Sequence, residues 1–295
     1  MVFRPFIAVK NMLSGRKNLQ YQNNITLMTA IIFFGLYFKL NKFTSPCFIL
    51  VFAFLISLGS SAGFAKNITY LYAAASTQNV VEAVLKSYNT KSETRFLPVY
   101  GATSALARQI LDGAPASLFL AANKAWMDRI TESNLVRKSK NVFFNRLVLV
   151  APHRSSLKLT ENKLSNIPLH LNGGRLAVAE VSAVPAGIYA KQALKNLQIW
   201  PKIKNKLAQS TNVRAALALV ERDEVPLGIV YHTDSLASPY VKTLLEIPEN
   251  THEKIAYPLA LLNNKGQPNE ALQLFKFFFS QQSRYIFHKY GFRTD

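Results

Sequence analysis

The chain has 295 residues, of which 49% are hydrophobic and 17% are charged. This length and apolar fraction are enough for one or two domains with a core, and they exclude a disordered chain. The single cysteine, Cys47, excludes a disulfide framework, while the net charge of +19 is compatible with a nucleic acid, an anionic surface or an acidic ligand as partner, or with a basic surface alone.

Residues 1–65 have the features of an export signal. The apolar run 47–58 follows two lysines and precedes a stretch of small residues. It is shorter than the about 20 residues that a membrane-spanning helix needs. We predict cleavage after Ala65 and an extracytoplasmic functional domain. An earlier apolar run, 25–38, leaves an uncleaved anchor or a later translation start as alternatives.

Beyond Lys66, segments with strand and helix patterns alternate. In chain order they are a strand at 67–73, a helix at 78–88, an extended segment at 94–101, a helix at 104–113, a strand at 117–122, a helix at 123–130, strands at 146–152 and 174–181, helices at 186–197 and 212–224, strands at 227–231, 244–248 and 256–262, and helices at 269–280 and 283–291. Repeated strand–helix units predict an α/β fold with mostly parallel sheets, covered by helices on both faces.

Four helix starts carry small or hydroxyl-bearing residues directly after a strand or a loop. The strings are AAAS (73–76), GATSA (101–105), VPAG (184–187) and TNV (211–213). A helix start has unpaired N–H groups and a partial positive charge, so several that converge at one sheet edge could bind an anion. Any one of these starts alone is more simply explained as a helix cap.

The sequence offers little for catalysis or for a metal centre. Its five histidines include no i, i+4 pair on a predicted helix, and no P-loop, GxGxxG or GxSxG motif occurs. His232 follows an apolar strand and could line a cleft. We therefore predict no enzymatic activity and no cofactor.

Longer strings resemble the molybdate-binding periplasmic protein family, the solute receptors of molybdate ABC importers. The strings are YAAAS (72–76), GATSALARQILDGAPASLFLAANKAWMD (101–128), LNGGRLAVAEVSAVPAGIYAKQALKNLQIW (171–200), NVRAALALVERDEVPLGIVYHTDS (212–235), YPLALL (257–262) and IFHKYGF (286–292). They follow one another in the family's order and cover essentially the whole chain beyond Lys66.

This resemblance implies a two-lobed periplasmic binding protein of type II, with a ligand cleft between the lobes. Residues 66–147 would form the first part of lobe 1, residues 148–248 lobe 2, and residues 249–295 a return segment of lobe 1. The cleft would hold one tetrahedral oxyanion, molybdate or tungstate. Molybdenum would thus be bound as the oxyanion and not as a bare metal ion.

The resemblance also assigns the ligand contacts. Ser76 and Thr103 would donate through their hydroxyl and backbone N–H groups, Ala186 and Val213 through backbone N–H groups, and Tyr231 through its phenol hydroxyl. Thr103 stands where the family usually has serine, so its extra methyl group is a departure from the pattern.

A second departure is His232, which follows the tyrosine where a small residue is common and could add a pH-sensitive donor near the cleft. The expected partners are the molybdate oxyanion and the membrane permease of the importer. We expect a monomer in the periplasm that binds no nucleic acid. The alternatives are a receptor for another oxyanion such as sulfate, or an enzyme on the same fold.

Overall fold

The computed structural model describes residues 68–88, 94–159, 161–263 and 269–294. The predicted export signal, residues 1–65, lies outside them. Ten strands within the described ranges form two five-stranded sheets. The strands are β1 Ile68–Ala74, β2 Arg95–Gly101, β3 Ala116–Leu120, β4 Val136–Asn145, β5 Leu147–Pro152, β6 Leu176–Ala179, β7 Leu207–Ser210, β8 Leu227–Tyr231, β9 Val241–Glu246 and β10 Ile255–Leu262.

The helices of the described ranges connect these strands and close the chain. They are α1 Gln78–Ser87, α2 Thr103–Leu111, α3 Lys124–Glu132, α4 Ile167–His170, α5 Pro185–Asn196, α6 Trp200–Ile203, α7 Val213–Glu221, α8 His232–Leu236, α9 Asn269–Phe277 and α10 Gln281–Lys289. A single 3₁₀ turn, Ala75–Thr77, joins β1 to α1. None of these helices has the length and apolar character needed to cross a bilayer.

The two sheets have the orders β2-β1-β3-β10-β4 and β7-β6-β8-β5-β9. In each sheet the first three strands are mutually parallel, and the remaining two pairings are antiparallel. The predicted α/β fold with two lobes and mostly parallel sheets is confirmed. In each sheet four of the five strands run in one direction, and only β10 or β5 runs against them. The reversed strands β5 and β10 are the first strands after each crossing from one sheet to the other, so no helical crossover within a sheet sets their direction.

The chain crosses between the sheets at two places in the described residues. One crossing runs from Asn145, the last residue of β4, to Leu147, and the other runs from Glu246 to Ile255. Arg293 near the C-terminus exchanges two backbone hydrogen bonds with Phe144, beside the first crossing. These segments form the hinge between the lobes.

Apolar residues fill both faces of each sheet. Strands β3, β5, β6 and β8 are buried at every position, as expected for strands covered by helices on both sides. In the first lobe α2 and α3 pack on one face, and α1, α9 and α10 pack on the other. Helices α5 and α7 belong to the core of the second lobe.

Parallel strands of both sheets end beside one cleft, two from the first sheet and three from the second. In the first sheet β1 ends at Ala74 and β2 at Gly101, and in the second sheet β6, β7 and β8 end at Ala179, Ser210 and Tyr231. A helix or a 3₁₀ turn begins within a few residues of each strand end. Ligands of open α/β sheets bind at the carboxyl ends of the strands, so this arrangement places a candidate site between the lobes.

Candidate functional site

A small cavity between the two lobes contains all five residues that the sequence analysis assigned to the ligand. The space between its lining atoms is about 220 Å³, including the part that opens to solvent. Its lining residues are Ala74, Ala75, Ser76, Gly101, Ala102, Thr103, Ala122, Val184, Pro185, Ala186, Asn212, Val213 and Tyr231. None of these residues is charged, so the cavity offers an uncharged polar surface with short apolar side chains around it.

Three helix starts direct their N–H groups to this cavity. Helix α2 begins after Ala102 and helix α5 after Val184, and neither start has a side-chain cap. Because Pro185 occupies the first position of α5 and has no N–H group, Ala186 supplies the first free donor there. In α7 the side chain of Asn212 accepts from the Ala215 N–H, and the Val213 N–H at the first helical position lies before it. These donors and the partial positive charge of the helix ends favour an anion.

Two hydroxyl groups in the cavity are already held by neighbouring groups. The Thr103 Oγ1 accepts the Ala122 N–H at 3.0 Å, and the Ser76 Oγ lies 2.9 Å from the Tyr257 Oη. Because the Thr103 oxygen accepts this bond, its own proton is left to donate elsewhere. Thr103, which has a methyl group that serine lacks, is buried at the start of α2.

The phenol of Tyr231 is the buried polar group that most directly requires a ligand. Tyr231 is 1% exposed, and its Oη has no hydrogen-bond partner within the described residues. Burial raises the pKa of Tyr231 well above its ordinary value, and the neighbouring Tyr257 adds to this effect. The hydroxyl therefore keeps its proton and can donate it to a ligand in the cavity. An unpaired buried hydroxyl costs about 1–3 kcal/mol, and an anion in the cavity would remove that cost.

A paired charge lies beside the cavity without lining it. Asp234 in α8 is fully buried, and its Oδ1 accepts from the Arg214 Nε at 2.5 Å. Burial raises the pKa of Asp234, and the guanidinium of Arg214 opposes this rise. The same guanidinium donates to the Asn79 Oδ1 of the first lobe at 2.9 Å. The carboxylate is therefore partly compensated, and the cavity itself keeps no formal negative charge.

Trp126 provides a second hydrogen bond between the lobes. Its Nε1 donates to the Ala183 carbonyl oxygen at 2.9 Å, which joins α3 of the first lobe to the loop before α5 of the second. The guanidinium groups of Arg108 and Arg129 make cation–π contacts with its indole ring, 5.5 and 4.6 Å from the ring centroid. Together with the Arg214–Asn79 bond, this contact links the two lobes across the cleft.

Sequence reasoning missed Tyr257, Asn145, Trp126 and Arg214, because their contacts join distant parts of the chain. A signal for Tyr257 was present: a phenol inside the apolar strand β10 must find a partner when the strand is buried.

His232 follows Tyr231 in the chain but does not line the cavity, and a pH-sensitive donor near the cleft stays a prediction. Its ring lies at the hinge, near Arg146, Glu246 and Arg293, and its Nδ1 is buried without a partner in the described residues. Burial lowers the pKa of His232 below its ordinary value, Arg146 and Arg293 add to this effect, and Glu246 opposes it.

We therefore expect stability to depend on His232 in mild acid. The folded protein binds the proton less readily than the unfolded chain, so the free energy of unfolding should fall as the pH drops below about 6.5 and toward the lower folded-state value. His232→Gln should flatten this acid limb in urea denaturation between pH 5 and 7. The exposed His153→Gln control should retain it, and an unchanged acid limb in His232→Gln would contradict the assignment.

Comparison with known proteins places this site in a family. The family model of the bacterial extracellular solute-binding proteins matches residues 69–293. The molybdate-binding protein ModA of Escherichia coli is 40% identical over 226 residues, covering 75% of this chain and 87% of that protein. ModA of Haemophilus influenzae is 37% identical over 244 residues, covering 81% and 94%.

A solved structure shows the same fold. The periplasmic molybdate-binding protein of Azotobacter vinelandii superposes with a TM-score of 0.69 at 16% identity, covering 77% of this chain and 99% of that one. At this identity the superposition concerns the fold alone. The family model and the two ModA relatives go further, and together they establish that the chain belongs to the bacterial extracellular solute-binding proteins and groups with their molybdate-binding members.

Proposed function

We propose that this protein captures molybdate outside the cytoplasm and delivers it to the membrane permease of an ABC importer. The observation that carries the proposal is the donor set of the cavity, which combines N–H and O–H groups from both lobes with the unpartnered Tyr231 hydroxyl. Molybdate at neutral pH is a dianion with four acceptor oxygens and no proton. Its hydrogen bonds to such donors are charge-assisted and are roughly twice as strong as neutral ones.

The site residues of this proposal are Ser76, Thr103, Ala186, Val213 and Tyr231. Ser76, Thr103 and Tyr231 would donate through hydroxyl groups, and Ala186 and Val213 through backbone N–H groups. All five line one cavity, and no carboxylate lines it with them. The relatives that are named for molybdate binding support the same ligand.

Ion size should set the selectivity of this cage. A smaller oxyanion such as sulfate would leave some donors unpaired in the closed cleft, at about 1–3 kcal/mol for each. Molybdate and tungstate have nearly the same size, so we expect the cavity to bind both. Hydrogen phosphate carries a proton, and the cavity lining offers that proton no carboxylate acceptor.

The proposal also covers cofactors, catalysis, localisation and oligomeric state. The protein would need no cofactor and would perform no catalysis, since its task is to bind and release an intact ion. Residues 1–65 would direct it to the periplasm and be removed. We expect a monomer without affinity for nucleic acid, in which the basic surface steers the anion toward the cleft.

Calorimetry with molybdate, tungstate, sulfate and phosphate tests this function. We expect molybdate and tungstate to bind with similar affinity and sulfate to bind at least about tenfold more weakly. Tighter binding of sulfate than of molybdate would favour the alternative of a sulfate receptor. No heat with any of the four anions would overturn the proposal.

Trp126→Phe should weaken molybdate binding by about 3- to 10-fold, because it removes the hydrogen bond to Ala183 that stabilises the closed form. If closure changes the surroundings of the indole, emission should respond to molybdate in the unmodified protein and lose most of that response in Trp126→Phe. The second tryptophan gives the control: Trp200→Phe should keep both the response and the affinity. Equal affinity of Trp126→Phe and the unmodified protein would contradict this role.

A further inference from the structure

A chain of hydrogen bonds runs from the hinge to the anion cavity. The Arg146 N–H donates to the Asn145 Oδ1 at 2.9 Å. The Asn145 Nδ2 donates to the Thr233 Oγ1 at 2.9 Å and to the Tyr257 Oη at 3.4 Å. The Tyr257 Oη lies 2.9 Å from the Ser76 Oγ, and Ser76 lines the cavity. Three of these links join residues more than 80 positions apart in the sequence.

The donors and acceptors fix the direction of this chain at Asn145. Because the Asn145 Oδ1 accepts a backbone N–H, its amide nitrogen must face Thr233 and Tyr257, and an amide nitrogen can only donate. The Tyr257 oxygen therefore accepts from Asn145, and its own proton is free to point at Ser76. In the contact between Ser76 and Tyr257 either hydroxyl can donate. An anion in the cavity can take only the Ser76 proton, and Tyr257 then donates to the Ser76 oxygen.

Burial keeps water from replacing these partners. Tyr257 is fully buried, and Ser76 and Asn145 are 3% and 7% exposed. Burial also raises the pKa of Tyr257 far above its ordinary value, so the phenol keeps the proton that it donates. Tyr257 can thus donate over the whole neutral range.

We propose that Tyr257 is a positioning residue of the anion site, which turns the Ser76 hydroxyl proton toward the cavity and is itself oriented by Asn145 at the hinge. This inference rests on the proposed function, since it assumes an oxyanion as the acceptor of the Ser76 proton. Tyr257 does not line the cavity and acts through Ser76. Since Asn145 also bonds Thr233 of the second lobe, the orientation of a first-lobe donor is tied to the hinge.

A double-mutant cycle tests this role. Tyr257→Phe, Ser76→Ala and the double variant are compared with the unmodified protein by calorimetry with molybdate. Tyr257→Phe alone should weaken binding by about 3- to 10-fold, the size of one lost neutral hydrogen bond. In the Ser76→Ala background the same substitution should change affinity by less than about 2-fold, because the group that Tyr257 orients is already gone.

The outcomes separate this inference from the proposed function. Additive losses in the double variant, or an unchanged affinity of Tyr257→Phe, would overturn the positioning role while molybdate binding stands. Failure of the unmodified protein to bind molybdate would overturn both. Thermal unfolding of the ligand-free variants shows whether each is folded, and the exposed Tyr285→Phe is the matched control, which should bind as the unmodified protein does.

Discussion

Tyr231→Phe is expected to weaken molybdate binding without destabilising the ligand-free protein. The substitution removes one oxygen atom from a fully packed ring and leaves the apolar contacts in place. A lost hydrogen bond to a charged group corresponds to about 1.5–3 kcal/mol, so affinity should fall by about 10- to 150-fold.

The opposite sign is expected for the stability of the empty protein. The Tyr231 Oη is buried without a partner in the described residues, so its removal takes away an unmet desolvation cost. The free energy of unfolding without ligand should be unchanged or higher by up to about 1 kcal/mol. Most substitutions of buried residues lower stability and function together. Weaker binding with unchanged or higher stability would therefore indicate that the Tyr231 hydroxyl serves ligand binding and not folding.

Calorimetry with molybdate and urea denaturation without it measure the two effects. Tyr285→Phe, at a tyrosine that is 73% exposed, is the matched control and should change neither. A Tyr231→Phe protein that binds molybdate as tightly as before would remove the phenol from the site.

Gly187→Ala is expected to lower both stability and affinity, because the start of α5 approaches the end of β6 too closely for a side chain. A Cβ atom at Gly187 would overlap the carbonyl oxygens of Ala179 and Glu180. Backbone atoms on both sides must then move, at a cost of about 1–3 kcal/mol in stability. The shift would displace the neighbouring Ala186 N–H, and we expect molybdate affinity to fall at least about tenfold.

The control for this substitution is Gly113→Ala. Gly113 has φ +92° and open space around its Cβ position, so alanine there strains the backbone after α2 without touching the cavity. It should cost about 1 kcal/mol of stability and leave affinity unchanged. If Gly187→Ala bound molybdate like Gly113→Ala, the start of α5 would not be a rigid part of the site.

Much of the fold was predictable because local patterns agree with the tertiary structure. The strand–helix junctions before Ser76, Thr103 and Val213 were read from apolar periodicity and hydroxyl or amide residues, and the structure brings them to one cavity. Strand β4 was missed, since its first half is exposed and rich in lysine and arginine. Such residues are typical of a protected sheet edge, but from sequence alone the same charged, exposed pattern predicts a loop.

The contacts behind the site could not be predicted in the same way. Nothing local connects Ser76 with Tyr257, because they are 181 positions apart and meet only after the return segment joins the first sheet. The hydrogen bond from Trp126 to Ala183, which joins the two lobes, likewise connects residues that are distant in the sequence. The mixed strand direction also depends on where the chain crosses between lobes, which periodicity does not encode.

The use of main-chain donors at Ala186 and Val213 has an evolutionary consequence. Every amino acid except proline supplies the same amide there, so these codons could drift among small residues while the cargo is still recognised. Selection would act on the placement of the helices and on the size of these two buried side chains, and not on any polar group in them. A substitution at position 186 or 213 would then say little about whether a related protein binds a different ligand. Proline is the exception, because it has no backbone N–H to donate.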